Sequence, residues 1–116
     1  MQAEELKTIV VNALEDVKAK DISVLDVTDR TSVTDFMILA SGTSSRHLRS
    51  LAESVVKEVK DRGIRDASVE GGNSGDWILV DLGDVVVHVM MPATREFYDL
   101  ERLWRDAPSV GAAGSE

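Results

Sequence analysis

Apolar residues first recur at steps of three and four. Ala3, Leu6, Ile9, Val10, Ala13, Leu14 and Val17 fall on one stripe. That spacing predicts a helix over residues 3–20, packed on a sheet. Glu4 and Glu5 in its first turn and Lys18 and Lys20 in its last suit the helix dipole. Residues 21–27, with the β-branched Ile22, Val24 and Val27, predict a short strand. The polar turn Asp29-Arg30-Thr31-Ser32 separates it from a second strand over 34–40. There Phe36, Ile38 and Ala40 occupy one face and Met37 and Leu39 the other. Both faces are apolar, so this strand is expected in the sheet's centre.

The helical period returns after Ser41-Gly42-Thr43-Ser44-Ser45. Leu48, Leu51, Ala52, Val55, Val56 and Val59 mark a second buried stripe. Thr43 or Ser44 caps this helix, and Arg62-Gly63 ends it. A short strand over 67–70 and the loop Gly71-Gly72-Asn73-Ser74-Gly75 follow. Two apolar runs then flank Gly83-Asp84, the signature of an antiparallel hairpin. Pro92 stops the second run. Thr94 is expected to cap a last helix through about residue 106, burying Phe97, Leu100, Leu103 and Trp104. Residues 107–116 are small and polar, and a flexible C-terminal tail is expected. The predicted order is α-β-β-α-β-β-β-α. It describes one α/β domain over residues 1–106, a mixed β-sheet of about five strands with helices.

The hairpin sorts into two faces once Leu82 is set opposite Val85. Ile78, Val80, Leu82, Val85, Val87 and Val89 make a purely aliphatic face that must be buried. Trp77, Leu79, Asp81, Val86, His88 and Met90 make the other. It is apolar at its centre but carries an acid and an imidazole. A core rarely takes an unpaired carboxylate, because burying the charge is costly. This second face is therefore read as a binding surface.

Charge sharpens that reading. The net charge is −8, from 13 basic and 21 acidic residues, which disfavours a free-standing nucleic-acid binder. Between Asp66 and Thr94 stand five acids (Asp66, Glu70, Asp76, Asp81 and Asp84) and no Lys or Arg. A basic protein is the natural partner for the hairpin. Arg46, Arg49, Lys57, Lys60, Arg62 and Arg65 make the second helix locally basic against Glu53, Glu58 and Asp61. A solvated face is the plain reading of that helix; an accessory contact to RNA is the sharper one.

Length and composition set outer bounds. The 116 residues, 43% hydrophobic, suffice for one domain with a modest core. No apolar run reaches the roughly 18 residues of a membrane span. The N-terminal residues lack the basic and apolar blocks of a signal peptide. A cytoplasmic protein without membrane contact is expected.

Enzyme chemistry finds few footholds. The strand-loop-helix unit around Ser41-Gly42-Thr43-Ser44 resembles a phosphate-holding turn, because helix N-terminal amides attract anions. Nucleotidyltransferases pair such a loop with metal-binding carboxylates, commonly Asp-x-Asp, and the chain contains no Asp-x-Asp. The loop over 71–75 has no Lys and is not a P-loop. There is no Cys, no Gly-x-Ser-x-Gly, and only His47 and His88. No catalytic residue, cofactor or metal is expected. A nucleotidyltransferase-like enzyme and an adaptor for another basic protein are the alternatives to a docking factor.

The block Trp77-Ile78-Leu79-Val80-Asp81-Leu82-Gly83-Asp84-Val85-Val86-Val87-His88, with Arg95 and then Tyr98-Asp99-Leu100-Glu101-Arg102-Leu103-Trp104, closely resembles the ribosomal silencing factor family, also called Iojap-like. Asp26-Val27-Thr28 and the segment from Thr34 to His47 resemble that family's N-terminal half. The resemblance covers residues 4–105 with order and spacing intact. It implies a bacterial member with a nucleotidyltransferase-like fold and no nucleotidyltransferase activity. It also implies binding to the large ribosomal subunit through ribosomal protein fourteen, at the face that meets the small subunit. Steric exclusion of the small subunit would then repress translation when nutrients are scarce. The expected partner-binding residues are Trp77, Leu79, Asp81, Leu82, Gly83, Asp84, Val86, His88 and Met90. Trp77 and Met90 are expected as apolar anchors, with Asp81 and Asp84 pairing to Lys or Arg of the partner. Glu70, Asp76, Arg95 and Tyr98 are expected accessory contacts, and neighbouring ribosomal RNA a further one. A monomer is expected on the ribosome; the apolar sheet face would let the free protein form a homodimer.

Overall fold

A computed structural model of the chain describes residues 1–71 and 75–106. The expected tail over 107–116 lies outside the described residues. Helix α1 (Ala3–Asp16) carries Leu6, Ile9, Val10, Ala13 and Leu14 into the core. It is shorter than predicted. The chain leaves the helix at Val17, and Lys18 and Asp21 adopt positive φ. Lys18 and Lys20 therefore fall beyond the last turn, which holds no basic residue.

Strand β1 (Lys20–Asp26) pairs antiparallel with β2 (Phe36–Ser41). Every residue of β2 is buried, as its two apolar faces require. Helix α2 (Ser45–Asp61) starts behind Ser44, whose hydroxyl accepts the His47 backbone N–H at 3.0 Å. Just past the helix, Gly63 takes φ +97°, the left-handed turn that glycine tolerates. His47 then ties two helices together. Its Nδ1 accepts the Thr43 N–H at 2.9 Å, so Nε2 bears the proton and donates to the Val17 carbonyl at 2.7 Å.

Strands β3 (Ser68–Glu70), β4 (Trp77–Asp81) and β5 (Val85–Met90) complete a five-stranded mixed sheet in the order β1-β2-β5-β4-β3. Only β2 and β5 run parallel; the other neighbours are antiparallel. The hairpin register is the predicted one. Ile78 pairs with Val89 and Val80 with Val87. Gly83 turns the chain at φ +85°, and the Asp81 carboxylate accepts its N–H at 2.9 Å.

The predicted last helix is two. Helix α3 (Pro92–Tyr98) begins with Pro92 in its first turn, where a missing N–H is harmless. Asp99 adopts the left-handed conformation and ends it, and α4 (Leu100–Asp106) follows at a new angle. Asp is among the few residues that take this conformation at low cost. The break redirects side chains. Phe97 is 81% exposed and Leu103 62% exposed, against the burial predicted for both. Leu100 and Trp104 do pack inward.

Arg95 fixes the elbow. Its Nε donates to the Glu101 carboxylate at 2.9 Å and its Nη1 to the Ser41 hydroxyl at 3.0 Å. One guanidinium thus joins α3, α4 and β2. The Arg95 hydrogen bond holds the Glu101 carboxyl below its ordinary range, and the Ser23 hydroxyl adds to the effect.

Two cores result. Helices α1 and α2 cover one sheet face, enclosing Ile38, Leu48, Leu51, Val55, Val80 and Val87. On the opposite face Val27, Met37, Leu39 and Met90 pack with Leu25, Trp77, Leu100 and Trp104. Ile38 is fully buried in the first core. Ile38→Ala should cost about 2–5 kcal/mol in urea unfolding, from lost transfer energy and the cavity left behind. Val24→Ala, at a 40% exposed position of β1, should cost less than about 1 kcal/mol. Equal losses would place Ile38 outside the core.

Candidate docking surface

The register lays the second sheet face out in rows. Leu25, Met37, Val86, Asp81 and Ser68 form one row. Ser23, Leu39, His88, Leu79 and Glu70 form the next, and Ser41, Met90 and Trp77 a third. Alternation along each strand points these side chains the same way. The face predicted from the hairpin is therefore contiguous.

Only half of it is open. Leu100 and Trp104 of α4 roof the β1–β2 half. Met90 is 0% exposed, so it cannot anchor a partner; it belongs to the second core. His88, at 8%, is covered as well. Leu82 lies on the other face, partly buried against the first core, because alternation sends it opposite to Asp81. Arg95 is engaged by Glu101 and Ser41 and acts as a holder rather than a contact. Trp77, Leu79 and Val86 remain half-buried, while Glu70, Asp76, Asp81, Gly83 and Asp84 are exposed.

The elbow of α3 and α4 adds what the hairpin alone did not reveal. Tyr98, 52% exposed, sets its ring 5.0 Å from that of Trp77. Phe97 meets Tyr98 edge-on at 5.0 Å. The three rings form a ridge, and Trp77, Phe97 and Tyr98 border a cleft of about 520 Å³ with Asp76, Ala93 and Thr94. A second groove of about 310 Å³ runs along Glu70, Gly71, Trp77 and Leu79. Sequence reading missed Phe97, because the period of an unbroken helix placed it inward. The signal was Asp99, a turn-tolerant residue in an otherwise helical run. The two turn acids stand apart from the ridge. Asp81 is four strand positions from Trp77, about 13 Å along β4.

The indole is held from behind. Trp77 Nε1–H donates to His88 Nδ1 at 3.0 Å. An indole only donates, so Nδ1 is unprotonated and the imidazole is neutral with its proton on Nε2. Burial lowers the His88 pKa to about 4. Both imidazoles of the chain are thus spent on internal bonds, His47 on backbone and His88 on Trp77. Neither is placed as a general base. Among the described residues no three His, Asp or Glu side chains gather as a metal site would need. Among them, too, no helix is long and apolar enough to cross a membrane.

The geometry is that of an α/β domain presenting an exposed aromatic ridge beside the acids Asp76 and Glu70. The sequence pattern of the family described as "Ribosomal silencing factor during starvation" matches residues 1–116. A protein of Chromobacterium violaceum named ribosomal silencing factor RsfS is 47% identical over 97% of this chain and 95% of its own. A Chromobacterium violaceum crystal structure, of protein CV0518, superposes with a TM-score of 0.88 at 48% identity, covering 94% of this chain and 92% of that one. The mouse protein named "Mitochondrial assembly of ribosomal large subunit protein 1" is 39% identical over 83% of this chain and 43% of its own length. The chain belongs to the ribosomal silencing factor family.

The His88 environment predicts an acid sensitivity. The unfolded imidazole takes a proton near pH 6.5, while the folded one resists until about 4. Between those values the unfolded state binds more protons, so stability falls as pH falls. The loss should begin near pH 6.5, reach on the order of 3 kcal/mol, and level off below about 4. Urea titrations across that range measure it. His88→Phe should flatten this part of the profile, and a profile unchanged by the substitution would contradict the assignment.

Proposed function

We propose that this chain docks on ribosomal protein fourteen of the large ribosomal subunit and excludes the small subunit, repressing translation when nutrients are limiting. The carrying observation is the open half-face: Trp77, Tyr98 and Phe97 stand together at the surface beside acidic residues, in a stretch free of Lys and Arg from 66 to 94. Ribosomal proteins are basic, so the acidic margin suits such a partner and steers its approach. Aromatic anchors in clefts supply most of the energy of typical interfaces. The name of the mouse relative, which refers to the large subunit, supports the same address.

The action needs no chemistry. A body of 12.6 kDa at the subunit interface only occupies space. Joining of the subunits is reversible, so a binder that admits only the free large subunit shifts the equilibrium by mass action. The nucleotidyltransferase-like scaffold serves as that body, in the cytoplasm and as a monomer on the ribosome. The same aromatic ridge is where two free copies would pair, which makes homodimer and ribosome complex mutually exclusive.

Cosedimentation with purified large subunits tests the site. Trp77→Ala or Phe97→Ala should each weaken binding by about 2 kcal/mol, roughly thirty-fold. Val24→Ala on the far edge strand should not. Unchanged binding by a folded Trp77→Ala protein would remove this surface from the interface. In sucrose gradients the unaltered chain should ride with large subunits and reduce joined ribosomes.

A further inference from the structure

Helix α2 lies on the side of the sheet opposite the aromatic ridge. A partner seated on the ridge therefore leaves it uncovered. Its outward residues Arg46, Arg49, Glu53, Lys57 and Lys60 recur at steps of three and four, opposite the buried stripe of Leu48, Leu51, Val55 and Val59. All five are exposed, and four are cations. The stripe is about 21 Å long. Arg46, Arg49 and Lys60 have no side-chain partner among the described residues. Lys57 shares only an exposed pair with Asp61 at 3.2 Å, a kind worth little in water. Beyond the helix end, Arg62 and Arg65 are exposed too.

This island sits in a chain of net charge −8. The rest of the molecule is thus more acidic than the total suggests. Such a body is repelled from a polyanionic surface unless it turns its basic side toward it. The stripe also starts beside the docking ridge: a Cβ placed on Gly75, two residues before Trp77, would come within 3.0 Å of Ser45 Cβ at the head of α2.

We infer that the Arg46–Arg49–Lys57–Lys60 stripe of α2 lies against the phosphate backbone of ribosomal RNA beside the docking site. The inference rests on the reading that the chain binds the large subunit. The cations stand as two pairs, Arg46 with Arg49 and Lys57 with Lys60, each pair about 4.5 Å apart along the axis and the two pairs separated by about 12 Å across Glu53, so the stripe offers two cationic grips to the phosphates of one strand. With no aromatic residue in the stripe, the contact reads backbone and not base.

The test compares two partners. The triple variant Arg49→Gln, Lys57→Gln, Lys60→Gln should bind isolated ribosomal protein fourteen as the unaltered chain does. On whole large subunits it should bind roughly ten-fold more weakly, and the slope of log affinity against log salt should shrink by about 2. Lys57→Arg with Lys60→Arg should keep the original slope. Hydroxyl-radical footprinting should show a protected RNA backbone segment that the triple variant loses. Equal affinity and slope on large subunits would overturn the contact. So would weakened binding with an unchanged RNA footprint, which would point to an acidic protein neighbour. Failure of the unaltered chain to bind protein fourteen would instead sink the docking reading, and this contact with it.

Discussion

An apolar sheet face has to be covered, and α4 is too short to cover this one. At seven residues it spans about 10 Å, enough to roof the β1–β2 half and no more. Leu100 and Trp104 close over Met37, Leu39 and Met90. The β4 half keeps Trp77, Leu79 and Val86 partly in water. The candidate docking surface is the part of the hydrophobic face that α4 leaves unroofed. The other face shows the contrast: α1 and α2 are long enough to bury it completely at its centre.

The indole at the centre of what remains open is held from within. Trp77 is fixed by its bond to His88 and by the Tyr98 ring, and Tyr98 is set by the α3–α4 elbow. The elbow in turn depends on Arg95, which ties Glu101 and Ser41. Arg suits this post because its planar fork makes two directed bonds at once. A surface ordered before binding loses less side-chain entropy when a partner arrives. Three residues expected as contacts thus hold the open surface from within: Arg95 through the elbow, His88 through the indole, Met90 as floor.

The hairpin was legible because a two-residue Gly-Asp turn and strict alternation leave one register that buries Ile78, Val80, Val85, Val87 and Val89 together. Slipping it by one would expose the whole set. The central place of β2 was legible for the same reason, since both its faces are apolar. The last helix was not. Its pattern fits one helix of fifteen or so residues, and only the backbone at Asp99, with φ 49° and ψ 51°, divides it. That choice is tertiary: it lets Arg95 reach Glu101 and Ser41 while Leu100 and Trp104 turn inward. Exposure of Phe97, expected buried, and burial of Met90, expected as an anchor, both follow from it. The end of α1 was missed in a similar way, where Lys18 turns left-handed against the usual preference of its side chain.

Charge gives the domain a direction as well as a grip. Asp76 borders the ridge cleft and Glu70 the neighbouring groove, while Arg46, Arg49, Lys57 and Lys60 line α2 on the helix side. The sheet stands between, and the shortest dimension of the molecule is 21 Å. The acids at the ridge and the basic stripe of α2 therefore lie on opposite sides of the sheet. On the proposed site, where basic protein adjoins anionic RNA, such an arrangement favours one approach and penalises its reverse. A body proposed to act by occupying space depends on being the right way round, because rotation about its anchor would swing its bulk away from the interface. Under the proposed reading the aromatic ridge supplies attachment, and the basic stripe of α2 adds an orienting contact through charges that never enter the core, without enlarging the hydrophobic contact.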